Sequence, residues 1–166
     1  MTRLRLTLAS AMLAFCIPCF AQDIHGKIVG ITDGDTATLL TSDNVQYKIR
    51  LASIDAPEKK QDYGMASKAA LSDCAYGKLA VIDGSKKDRY GRLVGKVIVG
   101  GTDCNLRQIQ LGLAWHYKKY QNEQELEDRS RYSHEEYLAH STLRGLWVSK
   151  EPIPPWDYRK LNRNLK

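Results

Sequence analysis

Residues 45–58, VQYKIRLASIDAPE, constrain the fold of this chain more than any other segment. Their first half alternates apolar and polar side chains, which predicts a half-buried β-strand. Pro57 ends the strand, because proline cannot donate a ladder hydrogen bond and biases the residue before it towards an extended conformation. The segment therefore predicts a rigid strand that carries Arg50, followed by a stiff corner that carries Asp55 and Glu58.

This corner has two interpretations. A guanidinium beside two carboxylates is an arrangement in which a phosphate and a divalent cation can meet. The alternative is an ordinary strand end whose charges are solvated. The corner alone favours neither interpretation, so the choice between them depends on the rest of the chain.

The first 21 residues have the pattern of a secretory signal peptide. Arg3 and Arg5 precede a short apolar run over residues 6–20, and the small residue Ala21 follows. Such a run is too short and wrongly flanked to span a membrane stably, and no later apolar run is long enough. We therefore expect an exported protein, periplasmic or secreted, that does not associate with a membrane.

The chain after the leader is long enough for one compact domain with a single core. The full sequence has a formal charge of +6, and loss of the two arginines in the leader leaves +4 for the rest of the chain. This excess permits attraction to a polyanion but does not diagnose one. We expect a domain over residues 22–160 and a basic, disordered tail over residues 161–166.

Export also bears on the cysteines. Two of the four lie in the leader, which leaves Cys74 and Cys104. An oxidising compartment favours a disulfide between them, which would stabilise the fold by roughly 3 to 4 kcal/mol in the chain-entropy picture. The alternative is a pair of buried free thiols.

Short strands joined by tight turns are predicted before and after the corner. The turn at residues 33–36 joins two strands within residues 25–40, and later strands lie near residues 79–81 and 93–99. Helices are predicted over residues 65–75, after a cap at Asn105, and over residues 123–140, where Leu126, Tyr137 and Leu138 are expected to pack inward. The proline-rich residues 145–156 are expected to form an extended strap. Five short strands and three helices predict an α+β fold built on a small OB-type barrel.

Four features follow one another along these strands. They are the turn Asp33-Gly34-Asp35-Thr36, Arg50 on its strand, Asp55 and Glu58 at the corner, and the string Asp88-Arg89-Tyr90-Gly91-Arg92. Together they resemble the staphylococcal (micrococcal) nuclease family, the thermonucleases, over about residues 26–156. The C-terminal motifs GLW and PIPPW resemble secreted Gram-negative and plasmid-borne members.

The resemblance implies a staphylococcal nuclease-like OB-fold and a Ca²⁺-dependent endonuclease that acts on DNA and RNA. It implies hydrolysis of the 5′ P–O bond to leave 3′-phosphate ends, by a monomer without an obligatory protein partner. Asp35, Asp55 and the backbone carbonyl of Ala56 correspond to the ligands of one Ca²⁺, a hard cation that takes oxygen ligands. The family often has threonine at the position of Ala56, but a carbonyl ligand is unaffected by that change.

The resemblance also assigns catalytic roles to Arg50, Glu58 and Arg92. Glu58 corresponds to the glutamate that positions, and is usually held to deprotonate, the attacking water. The two arginines correspond to those that grip the scissile phosphate, for which a planar, permanently charged fork is suited. Asp33 and Asp88 are expected to support the site without binding the ion, although Asp33 has the alternative of a plain turn residue.

Three tyrosines are candidates for substrate contacts. Tyr90 corresponds to a tyrosine that bonds a terminal phosphate of the substrate. Tyr120 is assigned to a position after the second helix where rings can stack on bases, and Tyr117 remains an alternative for it. The scattered histidines indicate no zinc site.

Two other classes of protein compete with this interpretation. One is a catalytically weak nucleic-acid-binding OB module, which would be favoured if Asp35, Arg50, Glu58 or Arg92 were missing, and all four are present. The other is a secreted structural or adhesion domain, which would leave the order of the arginines and carboxylates as coincidence.

Overall fold

The computed structural model describes residues 23–164. Its strands are β1 (Ile24–Ile31), β2 (Thr36–Leu40), β3 (Gln46–Leu51), β4 (Ile54–Asp55), β5 (Leu79–Lys87), β6 (Leu93–Val99), β7 (Thr102–Asp103) and β8 (Trp115–His116). Its α-helices are α1 (Gly64–Ala75), α2 (Cys104–Gln110), α3 (Leu126–Ser141) and α4 (Pro155–Asn164). The expected signal peptide, residues 1–21, lies outside the described residues. Within residues 23–164, none of the helices combines the length and the apolar content needed to cross a membrane.

Five strands close into a barrel. β1, β2 and β3 form the expected antiparallel meander, β5 pairs with β1, and β6 pairs with β5. The barrel closes through a parallel pairing of β6 with β3, in which Arg50 lies opposite Val94. The predicted α+β fold, built on a five-stranded OB-type barrel, is therefore confirmed.

Alternate positions of these strands fill the barrel. Ile28, Leu39, Ile49, Ile82 and Val97 all have an exposed fraction of 0%. Residues two apart in a strand face the same side of the sheet, so the alternation that predicted the strands also selects their inward side chains. The side chains at the end of β3 that point away from the core, including that of Arg50, therefore lie at the surface.

The predicted disulfide is present and joins two helices. Cys74 near the end of α1 is bonded to Cys104, the first residue of α2, and their Cα atoms are 6.0 Å apart. Both cysteines are buried. The bridge therefore holds α1 and α2 together where they pack against the barrel.

The cap of α2 differs from the prediction. Asp103, rather than Asn105, is the N-cap, and its carboxylate accepts a hydrogen bond from the N–H of Leu106 at 3.0 Å. Asn105 is buried, accepts from the N–H of Val97 and donates to the carbonyl of Ala52, each at 3.0 Å. Aspartate and asparagine are both good caps, so two candidates two residues apart could not be separated by local preference.

α3 also turns a different face inward. Leu126 and Tyr137, expected in the core, are 73% and 67% exposed, whereas Tyr132 and Ala139 are buried. The buried face includes Glu136, whose carboxylate accepts a hydrogen bond from the N–H of His116 at 2.8 Å. Leu138, also expected in the core, is half-buried. The prediction failed for Leu126 and Tyr137 because it followed apolar residues only, while the inward face carries a charge with a dedicated partner.

The C-terminal segment differs from the expected extended strap at both ends of that strap. Residues Gly145–Val148 form a 3-10 turn, and α4 includes residues 161–164 of the expected disordered tail. Pro155 is the first residue of α4, where proline loses no helical hydrogen bond and its fixed φ suits the helix. Asp157 in the first turn is favourable for the helix dipole. Pro155 therefore begins a helix instead of preventing one, whereas Pro152 and Pro154 lie in the irregular segment 149–154, as expected; residue 160, the expected end of the domain, falls inside α4.

Candidate active site

The corner after β3 brings the turn between β1 and β2 next to the end of β4. Thr36 pairs with Arg50 across β2 and β3, and the N–H of Leu51 donates to the carbonyl of Asp35 at 2.8 Å. The N–H of Ala56 donates to Asp35 Oδ2, also at 2.8 Å. These contacts place Asp35, which is distant along the chain from the corner, beside Leu51 and Ala56.

Asp35 and Asp55 converge on one point. The Nη2 atom of Arg50 lies 3.2 Å from Asp35 Oδ2 and 3.0 Å from Asp55 Oδ1, and the two carboxylate side chains are 10% and 2% exposed. Burial raises the pKa of Asp55, although the hydrogen bond from Arg159 and the charge of Arg50 act in the opposite direction. Two nearly buried carboxylates that share one cationic atom form a site for positive charge.

This donor set fits a hard cation such as Ca²⁺. Because a single nitrogen reaches both carboxylates, one ion can reach them too, and the adjoining backbone of Ala56 is fixed by Asp35. The described residues contain no cluster of three or more histidine, cysteine, aspartate or glutamate side chains suited to a metal. Few protein ligands leave coordination positions for water and for a phosphate oxygen.

The turn that carries Asp35 is held by close packing. A Cβ atom added to Gly34 would lie 1.9 Å from Ser67 Oγ and 2.7 Å from the Cβ of Ala56. The amide of Gln108 donates to the carbonyls of Gly34 at 2.6 Å and of Ser67 at 2.8 Å. Only a glycine allows the turn to approach α1 this closely, so the Asp-Gly pair serves packing as well as turn geometry.

Asp33 lies in the same turn and contacts Asp35. Its Oδ1 atom accepts a hydrogen bond from the N–H of Asp35 at 3.2 Å. Burial, followed by the nearby charge of Asp35, raises the pKa of Asp33. Asp33 is therefore a turn residue that contacts Asp35, and its support of the site stays a prediction.

Glu58 lies just beyond the corner and is open to solvent. Its N–H donates to Gln61 Oε1 at 3.1 Å, and α1 begins against its carbonyl, since a Cβ added to Gly64 would lie 1.9 Å from that oxygen. Its carboxylate accepts a hydrogen bond from Arg159 at 2.9 Å and is 40% exposed. A fixed backbone and an accessible carboxylate are what a general base acting on water requires.

Arg159 of α4 is the residue that sequence reasoning missed. Its Nη2 atom lies 2.7 Å from Asp55 Oδ2, and its Nη1 atom lies 3.2 Å from Asp55 Oδ1 and 2.9 Å from Glu58 Oε1. Although burial acts against it, hydrogen bonds to these two carboxylates raise the pKa of Arg159 above its ordinary value. The signal that could have found it is the helix start at Pro155, which places a basic residue one turn into a helix.

Arg92 is held apart from the carboxylates of the corner. Within residues 23–164, its ion pair is with Asp88, whose Oδ2 atom lies 2.7 Å from both Nε and Nη2. Although burial opposes the shift, hydrogen bonds from Arg92 and the backbone lower the pKa of Asp88. Leu93 lies opposite Ile49 in the parallel pair, so Arg92 stands at the end of the strand beside β3. Asp88 is thus the partner that positions Arg92.

The candidate tyrosines lie in two groups. Tyr90 is 68% exposed, and the guanidinium of Arg92 lies 5.5 Å from its ring centre. The ring of Tyr117 is 5.5 Å from that of Tyr120 and 5.5 Å from that of Trp156. Both Tyr117 and Tyr120 therefore remain candidates for contact with the substrate.

A cavity of about 390 Å³ adjoins the second group. It is lined by aromatic and basic side chains, including Trp115, Tyr117, Lys118, Lys119, Trp156 and Lys160. Asp55 lies opposite Trp115 in the pairing of β4 with β8, so the cavity is connected to the corner through one strand pair. Aromatic rings and ammonium groups are the surface that single-stranded nucleic acid binds without sequence preference.

Known proteins resemble the chain over this whole region. A family model described as "Staphylococcal nuclease homologue" matches residues 48–149, a range that includes Arg50, Asp55, Glu58 and Arg92 and ends before α4. A protein named "Uncharacterized endonuclease" from Escherichia coli O157:H7 is 36% identical over 149 residues, 89% of this chain and 93% of the relative. A protein of the same name from Haemophilus influenzae is 36% identical over 94% of this chain and 85% of its own. A "Micrococcal nuclease" from Shigella flexneri is 32% identical over 97% of this chain and 94% of its own.

Proposed function

The chain belongs to the staphylococcal nuclease family and is a phosphodiester hydrolase that acts on nucleic acid, and from this premise we propose that it is an exported, Ca²⁺-dependent nuclease. It hydrolyses the 5′ P–O bond of DNA and RNA and leaves 3′-phosphate ends. The observation that carries the proposal is the convergence of Asp35 and Asp55 on one cationic atom, with the accessible carboxylate of Glu58 beside them.

Asp35, Asp55 and the carbonyl of Ala56 are the proposed ligands of Ca²⁺. When bound, the ion clamps and polarises the phosphate of the substrate. Arg50 spans both carboxylates from a rigid strand, and its fork would turn to a phosphate oxygen at the same place when these carboxylates hold the ion. A donor aimed at the charge that develops in the transition state contributes about 3 kcal/mol.

Glu58 and Arg92 have the remaining catalytic roles. Glu58 accepts the proton of the attacking water, for which its open position suits it. Arg92, held by Asp88 at the end of the neighbouring strand, is the second guanidinium that binds the phosphate. Bases of the substrate stack on the exposed tyrosines, Tyr90 near Arg92 and Tyr117 or Tyr120 beside the cavity.

Export is supported by the chemistry of the two cysteines. A disulfide between Cys74 and Cys104 persists in an oxidising compartment and is rare in the cytosol of mesophiles. We propose that residues 1–21 direct the chain to such a compartment, either the periplasm or the medium.

The proposal is tested by digesting plasmid DNA and RNA with Ca²⁺ and again with a chelator. We expect cleavage only with Ca²⁺, and products whose ends a polymerase extends only after a 3′-phosphatase has acted. Glu58→Ala should fold normally and slow turnover by about 10² to 10⁴-fold, and Arg92→Ala by about 10² to 10³-fold.

Glu127→Ala is the matched control, because Glu127 is an exposed glutamate on α3, away from the corner. It should keep full activity. Intact substrate in Ca²⁺ at several pH values would refute the proposed activity. Near-native turnover by the Glu58 or Arg92 variant would refute the role assigned to that residue.

A further inference from the structure

Two arginines, Arg50 on β3 and Arg159 on α4, cover the carboxylate of Asp55. Arg50 contacts Asp55 Oδ1, whereas Arg159 contacts both carboxylate oxygens. Only 2% of the Asp55 side chain is exposed, compared with 16% for Arg50 and 41% for Arg159. Arg159 therefore covers the side of Asp55 that faces the solvent.

α4, which carries Arg159, is held to the domain by few contacts. Apart from the bonds of Arg159, Tyr158 Oη donates to the carbonyl of Lys60 at 3.2 Å, and the ring of Trp156 lies 5.6 Å from that of Trp115 and 5.5 Å from that of Tyr117. Among the residues of α4 whose side chains are described, Pro155 alone is fully buried. The helix is half-buried over residues 156–159 and exposed over residues 160–163, so it opens at a lower free-energy cost than the barrel strands.

A cation on Asp55 is incompatible with Arg159 in its present place. An oxygen ligand of Ca²⁺ lies about 2.3 to 2.6 Å from the ion. The Nη2 atom of Arg159 lies 2.7 Å from Asp55 Oδ2, so the ion and the guanidinium would be close together. Like charges at this separation repel, and the partial exposure of Arg159 moderates the repulsion.

We propose that, in the absence of Ca²⁺, Arg159 neutralises Asp55 and Glu58 in place of the ion, so that Ca²⁺ and α4 compete for Asp55. Both arginines give up Asp55 to the ion: the backbone of Arg50 stays at the corner because β3 holds it, so that only its side chain moves, whereas Arg159 is displaced together with α4. The inference rests on the proposed Ca²⁺ site. Because binding free energies are reciprocal, Ca²⁺ weakens the docking of α4 by the same factor as α4 weakens Ca²⁺ binding.

The competition is tested by calorimetric titration of the whole protein with Ca²⁺, without nucleic acid. Arg159→Gln should bind Ca²⁺ about tenfold more tightly than the wild type, an effect moderated by the partial exposure of Arg159. Arg159→Lys keeps the charge but loses the fork and should lie between the two. Arg163→Gln is the matched control, because it removes the same charge from an exposed position one turn further along α4 and should resemble the wild type.

Hydrogen exchange provides a second measurement that does not involve Ca²⁺ affinity. In the wild type, the amides of residues 156–164 should exchange faster when Ca²⁺ is added, and in Arg159→Gln they should exchange fast without it. If the exchange rates of the α4 amides do not change when Ca²⁺ is added, the proposed displacement is overturned.

The outcomes separate this inference from the proposed function. If the wild type and Arg159→Gln bind Ca²⁺ equally, Arg159 does not compete and the cation site stands. If Arg159→Gln lowers kcat without changing Ca²⁺ affinity, Arg159 positions Glu58 in the loaded enzyme and the competition is refuted. If neither protein binds Ca²⁺, the cation site itself is refuted, and the competition with it. If Arg163→Gln tightens binding as much as Arg159→Gln does, the effect is one of overall charge, which also refutes the competition.

Discussion

Removal of the disulfide should destabilise the protein by an amount that follows from the chain it encloses. Cys74 and Cys104 are 30 residues apart. In the chain-entropy model, cross-linking a loop of this length stabilises the folded state by about 3.6 kcal/mol at 25 °C. Both side chains are buried, so Cys74→Ala with Cys104→Ala also loses a small amount of packing. We therefore expect the double variant to lose about 3 to 5 kcal/mol of its free energy of unfolding.

The measurement is urea denaturation of three samples: the oxidised wild type, the wild type unfolded and refolded in reductant, and the double variant. A loss of this size corresponds to a decrease in Tm of roughly 10 °C for a domain of this length. The slope m should increase in the two samples without the bridge, because their unfolded chains expand further.

The reduced wild type serves as the control for packing. If it is as stable as the oxidised protein while the double variant is destabilised, the loss comes from the missing sulfur atoms and the entropic reasoning is wrong. Titration of two free thiols in the unfolded, unreduced protein would show that no bridge forms.

Two further predictions concern the site and its support. Gly34→Ala should displace the turn that carries Asp35, because its Cβ would lie 1.9 Å from Ser67 Oγ. We expect weaker Ca²⁺ binding by calorimetry and a loss of about 1 to 3 kcal/mol of the free energy of unfolding. Unchanged Ca²⁺ binding would contradict the packing argument. Burial lowers the pKa of His116, whose Nε2 atom is hydrogen-bonded to Gln124 Oε1 at 2.7 Å. The unfolded chain therefore takes up the proton first, and the wild type should lose stability as the pH falls below about 6.5 towards the lower pKa of the folded state. His116→Gln should make denaturation midpoints less dependent on pH over that interval, and equal pH dependence in the two proteins would refute the shift.

The parts of the fold that could be predicted are those in which local pattern and tertiary structure agree. The alternation at residues 46–51 predicted β3, and the same inward residues fill the barrel. The corner at Asp55 and Glu58 was predicted because proline and alternation are both local signals. The cap of α2 and the buried face of α3 could not be predicted, because each was decided by a partner elsewhere, Val97 for Asn105 and His116 for Glu136.

The site was predicted less completely than the fold. The structure brings Arg50, Asp35 and Asp55 together as expected, although the role of each residue remains a prediction. Arg159 is more than 100 residues from Asp55 along the chain. Contact across that distance depends on how α4 docks, which no periodicity within the helix determines. The helix start at Pro155 places Arg159 one turn into a helix, but a basic residue at such a position is ordinarily solvated, so its partners could not be predicted locally.

The parallel pairing of β6 with β3 has a consequence for when the protein becomes chemically competent. Pairs such as Arg50 and Val94 join strands that are distant in the chain, and contacts of this kind form late because their loop-closure entropy must be overcome first. The strand that carries Arg50 and the strand that follows Arg92 are therefore brought together only when the barrel closes. A polypeptide that is kept unfolded, as passage across a membrane requires, has the carboxylates and arginines of the site but no site. Closure of the barrel is in this sense the step that activates the enzyme.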